Sequence, residues 1–165
     1  MSKTNLYTEL KARHEADING FPMQFAFNAS QFTEGMVALG LDPSEKDKVC
    51  SIGGGGFVRK ADVDRLEAMM QRHEDEREAA IAVDETGAGY IYDALLYELA
   101  NHEYGLTLDD APALMALGIT TERAEGDQRI TWALSKAKKA IRFRAINNKQ
   151  GGENNDHDHN NIEHA

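Results

Sequence analysis

The sequence predicts an α+β fold that is mostly helical, with about five to six helices and one small antiparallel β element. Apolar residues recur every three to four positions along most of the chain, which indicates amphipathic helices. Two stretches depart from this spacing. Large apolar residues fill every second position from Phe21 to Phe27, and two short apolar runs flank four consecutive glycines at 53–56. These stretches predict a strand near 21–27 and a hairpin near 49–60.

The first helix is predicted over residues 5–17, where Leu6, Leu10 and His14 recur at helical spacing. The strand that follows contains Pro22, which cannot donate to a β ladder and therefore belongs at a strand start or a sheet edge. Side chains at every second position share one face of a strand. We therefore expect the odd positions of this segment to pack in the core: Phe21, Phe25 and Phe27.

A second helix is predicted to start at Asn28 or Ser30, either of which can cap it, and to stop at Gly40 in a left-handed conformation. After the hairpin, a long helix is predicted from about Ala61, because apolar residues return to helical spacing there. We expect its buried stripe to consist of Val63, Leu66, Met70 and His73.

Three further helices are predicted in the second half of the chain, over residues 90–104, 109–118 and 127–145. Pro112 suits the first turn of the short middle helix, where its missing N–H is not needed. Trp132 lies beside the expected buried stripe of the last helix, which consists of Ile130, Ala133, Leu134, Ala137 and Ile141.

Length and composition predict one globular domain over residues 1–146 and a disordered tail over residues 147–165. The tail is rich in Asn, Asp, Glu, His and Gly, and Ile162 is its only sizeable apolar residue. Such a segment buries too little apolar surface to offset the entropy of ordering.

The composition favours a cytoplasmic protein. Cys50 is the single cysteine, so an internal disulfide is excluded, and no apolar run approaches the length that spans a bilayer. Residues 1–5 have no apolar stretch after their lysine, so we expect no secretory signal. The net charge of −10 repels anionic membranes and nucleic acid, so we expect neither to be a direct partner.

The charge is unevenly distributed along the chain. Residues 136–149 hold six basic residues and no acidic one, which leaves twelve basic against twenty-eight acidic residues, or −16, elsewhere. An acidic stretch in the middle of the chain predicts a negative helix face, made of Glu67, Glu74, Asp75, Glu76, Glu78, Asp84 and Glu85. Such a face is either simply solvated or docks on a basic groove of a protein that handles nucleic acid.

The four glycines suggest a phosphate-binding loop, because Arg59, Lys60 and a helix N-terminus follow them. Neither the P-loop motif nor the dinucleotide-binding motif is present, since two residues separate the glycines from the basic pair. The alternatives are a flexible hairpin tip or a place where another backbone approaches closely. If the loop is functional, partner contact through Gly54, Gly55, Arg59 and Lys60 is favoured over catalysis.

Two histidines are candidates for metal ligation. His102 lies one helical turn after Glu98, and His73 falls on the expected buried stripe of its helix. A zinc site needs three or four such ligands, so the structural alternative, a hydrogen-bonded core histidine, is favoured. We therefore expect no metal, no cofactor and no catalytic residue, and interpret the chain as non-enzymatic.

Three blocks of the sequence resemble a family of short uncharacterised proteins of bacteriophages and mobile elements of gut bacteria. They are FPMQFAFNASQFTEGMVALGL (21–41), SIGGGGFVRK (51–60) and LLYELANHEYGLT (95–107). The resemblance spans roughly residues 5–145 and brings no activity or catalytic residue with it. It implies an accessory factor that blocks a host defence, such as an inhibitor of a CRISPR effector nuclease.

The leading hypothesis is therefore a non-enzymatic accessory protein that binds and inhibits a host defence protein, such as a CRISPR effector nuclease, through its acidic surface. Two alternatives stay open. One is a small metal- or phosphate-dependent enzyme that uses the glycine loop with His73 or His102. The other is a nucleic-acid-binding module that uses the basic segment from Lys136 to Lys149.

Overall fold

A computed structural model describes residues 5–153, with side chains through Asn147. Eight α-helices and three strands in this part of the chain confirm the mostly helical α+β class. The helices are α1 (Leu6–Gly20), α2 (Ala29–Ala38), α3 (Val63–Ala82), α4 (Tyr90–Asn101), α5 (Tyr104–Thr107), α6 (Ala111–Ala116), α7 (Thr121–Gly126) and α8 (Gln128–Glu153). The strands are β1 (Met23–Phe25), β2 (Val49–Gly53) and β3 (Gly56–Arg59), and the short 3-10 helices are Lys46–Lys48 and Lys60–Asp62.

The described chain groups into two compact units. One covers Leu10–Ala79, and the other combines the residues up to Glu9 with those from Ala80 onward. Within the described residues, no helix has the length and apolar character needed to cross a membrane.

The Leu10–Ala79 unit contains the sheet, whose strand order is β1-β3-β2 with antiparallel pairing on both sides of β3. Gln24 pairs with Phe57 on one side, and Ser51 pairs with Phe57 on the other. The central strand is therefore covered by a neighbour on each side, and Gly56, Phe57 and Val58 are all buried. The predicted hairpin is confirmed as β2 and β3.

Helix α2 packs its apolar side around Phe57. Met36, Leu39 and Phe57 form a buried cluster, and the Phe32 ring lies 4.9 Å from the Phe57 ring between centroids. A Cβ on Gly35 would come within 2.6 Å of the Phe57 ring, so only glycine allows this close approach. The helix meets the sheet at Gly35 because no side chain stands between them.

Both predicted ends of α2 are confirmed. The Asn28 side chain accepts a hydrogen bond from the backbone N–H of Gln31 at 2.9 Å, which caps the start of the helix. Gly40 follows the helix with a φ of +75°, and the N–H of Leu41 donates to the carbonyl of Met36 at 2.9 Å. This is the left-handed termination that glycine permits without strain.

The prediction that Phe25 and Phe27 pack in the core was wrong. Their side chains are 55% and 79% exposed, while Phe21 is half-buried. Strand β1 has only three residues and lies at the sheet edge, and Phe57 from the central strand supplies the aromatic ring of the core. The Phe27 ring instead lies against Gly55 at the hairpin tip, where an added Cβ would approach it to 2.8 Å.

The second unit is built on α4 and α8. Helix α4 buries Ile91, Leu95 and Leu99, and α6 adds Ala113 and Leu114. Four positions of the predicted stripe of α8 are buried: Ile130, Ala133, Ala137 and Ile141. The fifth, Leu134, is half-buried.

A polar clamp orders the loop that precedes α4. The Asp84 carboxylate accepts hydrogen bonds from the backbone N–H groups of Gly87, Gly89 and Ile91 at 2.9 to 3.1 Å. The Arg129 side chain donates to the carbonyl oxygens of Ile81 and Asp84 at 3.0 and 2.8 Å. Together the two side chains satisfy backbone groups that a loop leaves without partners.

The C-terminal part differs from the sequence prediction in two ways. A separate short helix, α7, lies between the helices predicted at 109–118 and 127–145, and Thr120 caps it through a 3.2 Å hydrogen bond from the Arg123 N–H. Helix α8 continues to Glu153, past the predicted helix end at 145. The rest of the predicted tail, 154–165, lies outside the described residues.

Substituting Phe57 and Phe25 tests this account of the sheet. Phe57→Ala should lower the free energy of unfolding by about 3 to 5 kcal/mol, because it empties the centre of the Met36 cluster. Phe25→Ala should cost less than about 1 kcal/mol, since over half of that side chain is already in water. Urea denaturation followed by circular dichroism measures both, and equal costs would contradict the assignment of Phe57 alone to the core.

Candidate functional site

Three carboxylates of α3 lie in a line on its outer side. Glu67, Glu74 and Glu78 follow one another at intervals of seven and four residues, and Gln71 fills the remaining position, so all four share one helix face. We call these four residues the acidic line. A shallow depression of about 640 Å³ lies along its first three members, and Leu66, Met70 and Arg77 complete the lining. The Arg77 guanidinium pairs with the Glu74 carboxylate, so one of the three negative charges is already partly compensated.

Met70 contributes apolar surface beside the acidic line. The prediction that it belongs to the buried stripe was wrong, because its side chain is 45% exposed and Met69 is buried in its place. Val63 and Leu66 are half-buried, and His73 is buried as predicted. The outer side of α3 therefore combines carboxylates with an exposed thioether, which suits a partner that is both basic and partly apolar.

Two of the predicted acidic residues point away from this line. Asp75 is exposed to one side and accepts a hydrogen bond from the Gln71 amide at 2.9 Å. Glu76 lies on the opposite side of α3, where its carboxylate is 2.9 Å from His14 Nε2 and 3.5 Å from the Arg13 guanidinium. Glu76 thus serves contacts within the Leu10–Ala79 unit.

Asp84 and Glu85 belong to the other unit and do not extend the acidic line. The expectation that Asp84 is exposed was wrong, because it is buried and accepts the three loop hydrogen bonds described above. Glu85 is exposed. The acidic surface predicted from seven residues is therefore concentrated in the three glutamates of the acidic line.

On the inner side of α3, two buried histidines stack on each other. The rings of His14 and His73 are 3.9 Å apart between centroids and inclined by only 13°. His73 Nε2 lies 2.9 Å from Asp17 Oδ2, just as His14 Nε2 lies 2.9 Å from Glu76 Oε2. Arg72 pairs with both carboxylates, so the four side chains of α1 and α3 form one connected network around it.

This network shifts the titration of its carboxylates. The hydrogen bond with His73, and the Arg72 guanidinium beside it, lower the pKa of the Asp17 carboxyl below its usual value. The hydrogen bond with His14 and the charges of Arg13 and Arg72 lower the pKa of Glu76 in the same way. Both carboxylates are therefore stabilised in the ionised form in the folded protein.

A depression of about 480 Å³ lies beside this network. It is lined by two segments of this unit. Ala16, Asp17, Gly20 and Phe21 come from the end of α1 and the residue after it, and Arg65, Ala68, Met69 and Arg72 come from α3. Both arginines already hold carboxylates of this unit, since Arg65 donates to Asp62 at 2.8 Å. The depression therefore offers no uncompensated charge to an ionic ligand.

The two candidate metal ligands each contact a carboxylate. His73 Nε2 lies 2.9 Å from Asp17 Oδ2, and His102 Nε2 lies 3.4 Å from the Glu98 carboxylate of the preceding helix. Across residues 5–153, no group of three or more His, Cys, Asp and Glu side chains is arranged to hold a metal ion.

Sequence reasoning missed Tyr7, which donates a buried hydrogen bond to the Glu98 carboxylate. Burial and this bond raise the pKa of the Tyr7 hydroxyl well above its ordinary value, so it stays protonated. Leu6, which the prediction placed inward, is 52% exposed. The spacing of three and four residues through Tyr7, Leu10 and His14 is the signal that identifies the buried side of α1.

The four glycines lie at the tip of the β2–β3 hairpin and not at a helix N-terminus, since α3 starts at Val63. Gly53, Gly54 and Gly55 all have positive φ, and Gly54 has open space around it. Arg59 is tied to the buried Asp62 by a 2.6 Å hydrogen bond, whereas Lys60 is exposed. Arg59 therefore fixes the start of α3, and Gly54, Gly55 and Lys60 stay accessible.

The acid sensitivity of the Leu10–Ala79 unit tests the histidine network. Folding lowers the pKa of Asp17 and that of Glu76. Their contribution to the free energy of unfolding is therefore fully present above the unfolded-state pKa values, which are about 3.9 and 4.3. It is lost as the pH falls through the lower folded-state values. Asp17→Asn should therefore lower the melting temperature at pH 7 and flatten its fall below about pH 4.

Melting temperatures between pH 7 and pH 3, measured by differential scanning calorimetry, check this expectation. Glu15→Gln is the matched control, because Glu15 is an exposed carboxylate of the same helix that pairs with Lys11 and lies outside the histidine network. An Asp17→Asn profile that superimposes on the wild-type profile would contradict the network's role.

Comparison with known proteins places the chain in a family. A family model described as a family of unknown function, DUF7659, matches residues 6–140, which is most of the chain and includes both compact units. No curated protein matches the sequence, and no solved structure matches the fold. The match covers α1 through the first half of α8, so the chain belongs to the DUF7659 family of unknown function.

Proposed function

We propose that this protein is a non-enzymatic accessory factor of a phage or mobile element, which binds and inhibits a host defence protein through the acidic line of α3. A CRISPR effector nuclease is the partner that we propose. The observation that carries the proposal is the alignment of Glu67, Glu74 and Glu78 on the outer side of a single helix.

The charge and length of the acidic line suit such a partner. Its carboxylates extend over about 16 Å of helix, because eleven residues separate the first from the last at about 1.5 Å each. CRISPR effectors hold their RNA–DNA duplex in a positively charged channel that recognises backbone charge and not sequence. A rigid row of carboxylates presents the same sign of charge to that channel and attracts it from a distance.

The hairpin tip supports a second contact in the same unit. Gly54 and Gly55 leave their backbone exposed, and Lys60 is exposed at the start of the 3-10 helix before α3. We place Arg59 outside the proposed surface, because its guanidinium already holds Asp62 and reaches the carbonyl of Leu39. Met70 adds the apolar area that makes a charged contact persist once it is formed.

Binding is favoured over catalysis because the three histidines in the described part of the chain all contact carboxylates of the fold. His73 and His14 each contact a carboxylate across α1 and α3, and His102 contacts Glu98 within α4 and its C-terminal end. No observation favours the enzyme alternative over this structural role.

Reversal of two charges on the acidic line tests the proposal. Glu67→Lys with Glu74→Lys should slow association with the partner by about tenfold or more, because charges at an interface act mainly on the rate of encounter. Surface plasmon resonance against purified CRISPR effector nucleases of gut bacteria, with and without guide RNA, measures the rate. Raising the salt from about 50 mM to about 500 mM should weaken wild-type binding, since exposed charges are screened.

The matched control is Glu122→Lys with Glu125→Lys, which changes the net charge equally at two exposed residues of α7. If the acidic line determines the association rate and the net charge does not, this control should leave the rate within about twofold of wild type. Glu76 is kept out of the variant because its reversal would disturb His14. Absence of binding to every effector, or equal loss in the control, would refute the proposal.

A further inference from the structure

The outer side of α8 carries a row of large exposed side chains. Trp132, Lys136, Lys139, Phe143 and Ile146 follow one another at intervals of four, three, four and three residues, which confines them to an arc of about 80°. Trp132 is 43% exposed, Phe143 67% and Ile146 57%, and both lysines are exposed. We call this row the basic seam. It lies opposite the buried side of α8, which is formed by Ile130, Ala133, Ala137 and Ile141.

The basic seam lacks compensation by acidic side chains. No acidic residue occurs in α8 before its last residue, Glu153. Lys138, on the flank of the seam, pairs with Asp110, whereas neither Lys136 nor Lys139 has an ion pair with any residue that the structure describes. Lys136 lies 5.8 Å from the centroid of the Trp132 ring, so the cation and the aromatic face form one surface.

The acidic line of α3 has the same spacing as this seam. Glu67, Gln71, Glu74 and Glu78 recur at intervals of four, three and four residues, as the first four residues of the seam do. Intervals of four and three are those at which the side chains of two helices interdigitate along a shared axis. One helix face therefore offers carboxylates and Met70, and the other offers ammonium groups and large apolar side chains.

We propose that the basic seam of α8 docks on the acidic line of α3 in a second copy of this chain. The protein then self-associates through pairs of oppositely charged helix faces. Charge complementarity and matched spacing carry this inference, which goes beyond the proposed function and needs no host partner. When the copies separate, the acidic line becomes accessible, so self-association and partner binding compete for the same carboxylates.

Two other occupants fit the basic seam less well. Single-stranded nucleic acid would stack on Trp132 and Phe143, but Ile146 has no stacking face and the net charge of −10 opposes a polyanion. An anionic membrane needs a broad apolar face, whereas only three apolar side chains occur in the seam, and two lysines separate them.

Sedimentation equilibrium of the full-length protein over the micromolar range tests the proposal. We expect reversible association at about 50 mM salt that is largely lost at about 500 mM, because the contact is electrostatic. Trp132 is the single tryptophan of the chain, so its emission should shift to shorter wavelength as association buries it. Lys136→Glu with Lys139→Glu should weaken association by about tenfold or more.

Mixing two variants separates the proposed pairing from a general effect of charge. Glu67→Lys with Glu74→Lys should also abolish self-association, since it removes the complementary face. In an equimolar mixture of the two variants, the unchanged basic seam of the acidic-line variant can dock on the unchanged acidic line of the basic-seam variant. The two reversed faces also carry opposite charges and attract each other. Association should therefore return in the mixture while each variant alone stays monomeric.

The matched control is Lys46→Glu with Lys48→Glu, an equal change of charge at two exposed residues outside α8. It should leave association unchanged. A wild-type protein that stays monomeric at all concentrations in low salt would overturn the proposal, as would association that survives either pair of reversals. Binding of oligo-dT or of phosphatidylserine vesicles through Lys136 and Lys139, without self-association, would overturn it in favour of those occupants.

Discussion

The stacked histidines between α1 and α3 decide which side of α3 faces solvent. His14 and His73 lie in van der Waals contact, and each is held in place by a carboxylate from the opposite helix. Because this network occupies Glu76 and Arg72 on the inner side, the rotation of α3 about its axis is set. The residues half a turn away, Glu67, Glu74 and Glu78, are therefore the ones that the helix presents outward. The outward position of the acidic line therefore follows from the contacts that the histidine network makes on the inner side of α3.

The sequence predicted the elements whose signals are local. The cap at Asn28, the left-handed Gly40 and the hairpin around four glycines depend on residues within a few positions of one another, and the structure confirms each of them. Burial is a property of the whole fold and was predicted less well. The alternation through Phe25 and Phe27 resembles a buried strand, yet Phe57 on the neighbouring strand fills the space that they would need. Sequence spacing cannot show which of two aromatic segments contributes the buried side chain of the core.

The side chains of the candidate site were also predicted less well than the helix that carries them. Glu74, Asp75 and Glu76 are consecutive and looked like one acidic patch, but each step along a helix turns the side chain by about 100°. The three carboxylates therefore point to the acidic line, to its flank and to the histidine network. Asp84 was assigned by charge alone and instead satisfies three backbone N–H groups, because a carboxylate is the acceptor that a tight loop before a helix needs. Charge in the sequence predicted a negative helix face, but the rotation from one residue to the next decides which side chains share that face.

The two charged faces also explain how a chain with a net charge of −10 can keep a strongly basic helix. Lys136 and Lys139 would be expected to find partners among so many carboxylates, yet within the described chain they have none, and Trp132, Phe143 and Ile146 beside them stay exposed. An exposed row of large apolar side chains is typical of a surface that another molecule covers. An acidic helix face with matched spacing is present on every copy of the same chain. A protein built this way limits its own reactivity at high concentration, because each copy covers the carboxylates that a basic partner would otherwise bind.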